Sequence, residues 1–229
     1  MGLLPWALAA GTAAWAGYGL GAQLLAAEPL RRGPAGRRRV ALTFDDGPDP
    51  AATPRLLELL GARGLHATFF LIGERAARHP GLVRELVAAG HEVGNHTWRH
   101  RNAWFLTPRE TVQEIERGTE ILATLAGEPP RYFRPPWGLV NLVALRTARR
   151  LGQRLVLWSI QPEGLRPRAP DEQVRRVLAR LHDGAILDLH DAEGVRGAPA
   201  RLLAALPGLL AALEARGYTA GSLGSLLAP

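Results

Sequence analysis

The chain has 229 residues, 47% of them hydrophobic, and carries a formal charge of +7 with no cysteine. That length buries a full core, enough for one catalytic domain of about 190 residues behind a leader; the missing cysteine excludes disulfides, thiolate metal sites and structural zinc fingers, so any metal must be held by histidine and carboxylate. All the positive charge is arginine, crowded most densely between Arg31 and Arg39, and with no basic, aromatic-laced groove beyond that collar nucleic acid is excluded as a partner.

Gly2 to Ala27 contain no charged side chain. At about 1.5 Å per residue such a run crosses a bilayer as a helix. Residues 1–28 are therefore expected to form a transmembrane or signal-anchor segment, uncleaved because no convincing Ala-x-Ala precedes Glu28; a helix buried in the domain is the competing reading. Residues 29–38 follow as a basic linker and residues 39–229 as the catalytic domain. By the positive-inside tendency the arginine collar draws that domain to the cytoplasmic face.

Arg39 to Phe44 reads as a first strand, Thr53 to Leu60 as a helix, and the unbroken apolar run Ala67 to Ile72 as a buried strand. A helix from Pro80 to Ala89 stops at Gly90, and a short strand, Glu92 to Gly94, runs into His96. Thr107, Pro108 and Glu110 combine a capping box with proline at the first helical position, opening a helix to about Ala126. There follow a strand at Tyr132 to Arg134, a helix at Leu142 to Leu151, a strand at Leu155 to Ser159 and a helix at Asp171 to His182. A strand at Ala185 to Leu189, helices around Pro199 to Arg216 and a last segment from Tyr218 complete the chain. Strands alternating with helices predict parallel strands and a layered or barrel α/β fold of about seven units.

Four stretches carry chemistry. Thr43 to Pro48, Thr-Phe-Asp-Asp-Gly-Pro, ends the first strand in two adjacent carboxylates and a forced turn, which places Asp45 and Asp46 where α/β active sites lie. His96 and His100 stand four apart, the spacing that puts two imidazoles on one face of a helical turn, and with Asp46 they make a two-His, one-carboxylate set with positions left open for water and substrate. Arg134-Pro135-Pro136-Trp137-Gly138 fixes a rigid loop whose arginine can grip a carboxylate with two prongs, Asp45 being the natural partner. Leu187-Asp188-Leu189-His190-Asp191 ends another strand with a candidate proton donor. His66, His79, His91 and His182 sit beside helix ends or glycines and receive no role.

On these motifs the chain resembles the polysaccharide deacetylases of the NodB-homology family, metal-dependent carbohydrate esterases, over roughly Arg39 to Leu227. The resemblance implies an α/β fold in the form of a distorted seven-unit (β/α) barrel, here preceded by one N-terminal helix. It implies that Asp45 is the catalytic base and that Asp46, His96 and His100 hold a divalent metal, zinc first, with cobalt or nickel suiting the same ligands. It also implies that Arg134 steadies the base and that Trp137, beside Pro136, offers a backbone N–H to the oxyanion. Leu187 and Leu189 would line the acetyl pocket, and His190 would be the general acid.

One motif departs from the family. Members similar to this chain usually read Trp-Ser-x-Asp-x-x-Asp-Trp, whereas Trp158 to Leu165 reads Trp-Ser-Ile-Gln-Pro-Glu-Gly-Leu, without either aspartate. Asp188 is the opposite departure, a carboxylate where an aliphatic residue is usual. Residues two apart on a strand share a face, so Asp188 is expected to partner His190 in place of the missing aspartate, with Glu163 as a second candidate.

The implied reaction is hydrolysis of an N-acetyl, or other small acyl, group on an amino sugar in a polysaccharide or glycoconjugate. Two alternatives stand beside it: a deacylase or deformylase of a lipid-linked sugar at the membrane, and a catalytically silent sugar-binding homologue. The expected location is membrane-anchored with an extracytoplasmic catalytic domain, against the direction in which the arginine collar points.

Overall fold

The computed structural model describes residues 15, 17–25, 29–164, 166–194 and 196–229. Its centre is a sheet of seven parallel strands: β1 (Arg39–Asp45), β2 (Thr68–Leu71), β3 (Glu92–Asn95), β4 (Tyr132–Phe133), β5 (Arg154–Leu155), β6 (Ala185–His190) and β7 (Thr219–Gly221). The order is β5-β4-β3-β2-β1-β6, with β7 also on β1. Val40 pairs with both Ala185 and Ala220, and Thr43 with both Asp188 and Thr68. The first half of β1 therefore gives to β7 the edge that its second half gives to β2. The sheet curls into a barrel-like α/β fold, as the alternation of elements predicts.

Alternation along β1 and β6 separates two environments. Val40, Leu42 and Phe44 with Leu187 and Leu189 face the covering helices and join the main core. The other face carries three rungs in register, Ala41 with Ile186, Thr43 with Asp188, and Asp45 with His190. The lowest rung is apolar and packs with Leu30, Phe70, Val156, Leu223 and Leu226; the upper two are polar. The barrel thus has a greasy floor and a polar mouth at the carboxyl end of its strands.

Leu30 shows that residues 29–38 are more than the basic linker expected from composition. Its N–H donates to Leu155 O and its carbonyl accepts from Leu157 N–H, a parallel bridge to Val156, while Arg32 bridges Ala185. This short piece of chain bridges the two outer strands, β5 and β6, on the amino-terminal side of the point where Ile160 pairs directly with Leu187. The arginines that follow bind the chain's own carbonyls: Arg37 donates to Ala228 O, Arg38 to Arg216 O and Arg39 to Ser225 O and Ala228 O.

The expected leader helix over residues 1–28 lies mostly outside the described residues, and among those described no helix is long and apolar enough to cross a membrane. The part that is described, Gly17–Gly21 and Ala22–Leu25, rests against the domain, with Ala22 buried. Two further differences have local causes. A six-residue helix, Gly73–Arg78, follows β2 directly, too short for its periodicity to show in the sequence. The strand expected at Leu155 to Ser159 is only Arg154–Leu155, as long as its two-residue neighbour β4, and is continued by single bridges from Val156 to Leu30 and from Ile160 to Leu187.

Candidate active site

At the carboxyl end of the strands lies a cavity of about 620 Å³ lined by Asp45, Asp46, His96, His100, Trp137, Gln161, Asp188 and His190, among others. A regular strand would send consecutive aspartates to opposite faces. Asp46 escapes this with a φ of +75°, so both carboxylates reach the same cleft. Thr97, His100 and Trp137 also have positive φ. Such conformations cost about 1–3 kcal/mol each and persist where surrounding structure enforces them.

His96 to His100 form a loop, not the helical turn that their spacing suggests. The left-handed residues Thr97 and His100 turn the chain so that the two rings still converge, with centroids 4.9 Å apart. Asp46 Oδ1 lies 3.5 Å from His96 Nε2 and 3.1 Å from His100 Nε2. That oxygen is buried without a hydrogen-bond partner, and ligand atoms of all three residues fall within 4.8 Å of one another. His96 Nδ1–H donates to Arg134 O at 2.6 Å, which fixes the tautomer and leaves the Nε2 lone pair facing Asp46. An orphaned carboxylate oxygen between two imidazole nitrogens, one of them oriented from behind, fits a divalent cation of the kind His and carboxylate bind.

Burial lowers the His100 pKa to about 4, keeping the ring neutral and able to coordinate. For Asp46 burial pulls upward, but the close His96 ring and the charges of His96, His100 and His190 hold its carboxyl well below the usual range. His96 is raised overall: burial lowers it, and Asp45 and Asp46 more than reverse that.

Arg134 organises the base. Its guanidinium is fully buried and donates to Asp45 Oδ1 and to Thr43 Oγ1, both at 2.7 Å, and to Leu157 O at 3.2 Å. It lies 4.2 Å over the Phe70 ring, the top of the apolar floor. Asp188 joins this group from β6: Oδ1 is 3.5 Å from Arg134 Nη1, and Oδ2 accepts a hydrogen bond from Gln161 Nε2 at 2.7 Å. Asp188 and His190 share the inward face as their spacing requires, yet no direct hydrogen bond joins them among the described residues. Gln161, at one of the positions where family members carry aspartate, holds Asp188 instead. Glu163 pairs with Arg201 Nε and Nη2 at 2.6 Å, away from His190.

Burial, then the charge of Asp45, pushes the Asp188 carboxyl up to about 7. Burial lowers His190, but the charges of Asp188, Asp46 and Asp45 outweigh it and raise its pKa overall.

The remaining residues divide cleanly. Trp137 is half exposed at the rim, its ring 4.5 Å from that of His100, whereas Pro136 is buried beneath the loop. Leu187 and Leu189 point into the helix-covered core and do not line the cavity, so the acetyl-pocket role implied for them has no support in this geometry; the alternation that brings Asp188 and His190 inward sends the leucines out. Arg75 was missed by sequence reasoning. Its Nη1 donates to Asp46 O at 2.7 Å, and its position in a short helix directly after β2 was the available signal.

Comparison with known proteins gives this arrangement a family. The model described as "Polysaccharide deacetylase" matches residues 32–156. The chain belongs to the polysaccharide deacetylase family. Within it, the chain is 36% identical over 196 residues to a peptidoglycan-N-acetylglucosamine deacetylase of Bacillus cereus, covering 85% of this chain and 90% of that one. It is 39% identical over 158 residues to a chitooligosaccharide deacetylase of a Bradyrhizobium species, covering 69% and 72%. A solved peptidoglycan N-acetylglucosamine deacetylase superposes with a TM-score of 0.81 at 32% identity, covering 86% and 92%. A family pseudoenzyme from Bacillus anthracis superposes with a TM-score of 0.80 at 26% identity, covering 88% and 69%.

Proposed function

We propose that the chain is a metal-dependent hydrolase that removes N-acetyl groups from amino sugars of a cell-envelope polymer such as peptidoglycan or a chitin-like oligomer. The observation that carries this reading is the Arg134-held Asp45 beside the Asp46, His96 and His100 cluster, with His190 paired across from Asp45 on the neighbouring strand. Asp46, His96 and His100 hold the ion, with zinc favoured. When bound, such an ion polarises the acyl carbonyl and acidifies a water. Asp45 takes the proton of the attacking water as its oxygen bonds to the acyl carbon, and the Trp137 N–H meets the oxyanion. The C–N bond then breaks, the sugar nitrogen takes a proton from His190, and acetate and a free amine leave. The half-exposed Trp137 indole offers a stacking surface for a sugar ring beside the reacting atoms.

Acetate release from acetylated chito-oligosaccharides and from peptidoglycan by the purified, zinc-loaded protein tests the function. No release from either, or from a lipid-linked N-acylated sugar, moves the chain beside the pseudoenzyme as a sugar-binding relative. The metal assignment has its own test: His96→Ala and His100→Ala are expected to lose the ion in elemental analysis, and full occupancy in the double variant removes these residues as ligands.

The envelope is the proposed location, with the catalytic domain outside; because Trp15 and residues 17–25 rest on that domain, a membrane attachment falls to the residues before them. Binding of chain carbonyls by Arg37, Arg38 and Arg39 gives the collar a role that does not depend on the cytoplasmic face. A reporter fused after Pro229, active only in the cytoplasm, would reverse the orientation.

A further inference from the structure

The leader and the catalytic loop, far apart in sequence, meet at the rim of the cavity. Gln23 Nε2 donates to Gly138 O at 2.9 Å, and Gln23 Oε1 accepts from Val140 N–H at 3.0 Å. One side-chain amide thus satisfies a carbonyl and an N–H of the loop immediately after Trp137. The same loop is held again from the neighbouring 3₁₀ turn, because the Trp104 indole donates to Val140 O at 3.0 Å. The leader in turn fixes Trp104: the Trp15 indole donates to Trp104 O at 2.8 Å, and Gly19 lies so close that a Cβ there would sit 3.3 Å from the Trp104 ring. Ala22, one residue before Gln23, is 1% exposed, so the amide is presented from a packed segment. Trp137 meanwhile holds a φ of +54°, a conformation that surrounding contacts must enforce.

We propose that Gln23 is a positioning residue for the reaction: it sets the Trp137 to Val140 loop, and with it the Trp137 N–H and indole, against the reacting acyl group. The inference rests on the role given to Trp137 above. Gln23 touches no substrate and no ion. It acts by narrowing the positions of a donor that must sit within a few tenths of an ångström of a developing oxyanion. The segment before the barrel is thereby part of the site.

Two variants of the full chain separate this role from simple packing. Gln23→Met keeps the length and the apolar stem but removes both hydrogen bonds; Gln23→Glu keeps the acceptor toward Val140 N–H and loses the donor toward Gly138 O. Backbone hydrogen exchange is followed in the Trp137 to Val140 stretch, and kcat and KM are measured on an acetylated chito-oligosaccharide, with metal content and Tm as controls. The expected result for the Met variant is exchange about tenfold faster in that stretch and kcat about tenfold lower, with KM, metal content and Tm close to the parent; the Glu variant, which sets a carboxylate oxygen against Gly138 O, is expected to fall at least as far. Unchanged exchange in both variants overturns the proposal, and so does faster exchange with parental kcat. If the parent protein itself hydrolyses no acetylated sugar, the function reading falls, while the exchange result still decides whether Gln23 sets the loop.

Discussion

Arg134 is the largest fully buried side chain among the described residues, and its charge is matched by Asp45 and Asp188 in surroundings that exclude water. Removing one partner of such a group leaves uncompensated buried charge, at a cost of about 3–5 kcal/mol. Arg134→Met is therefore expected to lower Tm by roughly 10 °C at about 2–4 °C per kcal/mol for a chain of this size; an unchanged calorimetric melt would contradict the pairing. Asp45→Asn asks a different question, because it removes the proton acceptor and no ligand. Bound metal should stay at the parental level while kcat falls by about two to four orders of magnitude, and retained turnover would move the base elsewhere. His91 gives a pH test remote from the chemistry. Burial, then the charge of His66, lowers its pKa to about 4, and its Nδ1 accepts from Ala67 N–H. The unfolded chain, with an ordinary histidine near 6.5, binds more protons than the folded one between those values, so stability is full above that window and is lost as pH falls through it. His91→Asn keeps an acceptor for Ala67 N–H, and its denaturation midpoint should vary less between pH 6.5 and 4 than that of the parent.

At the level of elements, the helix Pro108–Ala126 shows how packing overrides propensity. Alanine is a better helix former than glycine by about 1 kcal/mol, yet a Cβ at Gly118 would lie 2.5 Å from Asn95 Oδ1 and 3.0 Å from the Thr97 backbone carbon. Gly118→Ala is expected to lower both Tm and metal content, because it pushes on the segment that carries His96. Gly127→Ala, at the left-handed C-cap of the same helix and with open space around it, should lower Tm alone. Equal metal loss in both would break the link from Gly118 to the site. The capping box of this helix was readable because Thr107, Pro108 and Glu110 are local signals. The positions of Asp45, Asp46, His96 and Arg134 were readable because strand ends in α/β folds are sites. The path by which His96 and His100 converge was not: left-handed φ at Thr97 and His100 is imposed by tertiary contacts and leaves no mark in residue spacing. Nor was the choice of Gln161 as the partner of Asp188, which depends on where a loop after a two-residue strand bends back.

For the whole molecule, the boundary of the domain falls earlier than charge patterning suggests. Leu30 is 5% exposed and belongs to the floor beneath the site. A chain beginning at Arg37 loses that burial, worth about 1.5–3 kcal/mol, together with the bridges to Val156 and Ala185, whereas one beginning at Pro29 keeps them. The shorter chain is expected to melt several degrees lower than the longer one, and coincident melts would restore the linker reading. Composition cannot distinguish the two, since the arginines around Leu30 look solvated whether or not one leucine among them is buried. The bridges at Leu30 and Arg32 also order events in time. This segment precedes every strand in the chain, but its partners Val156 and Ala185 come late, so its place in the sheet is among the last to close. Until then, two strands present unpaired backbone groups to any neighbour, the condition under which sheet proteins join edge to edge. Aggregation of this protein should accordingly follow release of the Leu30 segment, ahead of loss of the helices or of the site, and a peptide spanning residues 29–33 should slow it.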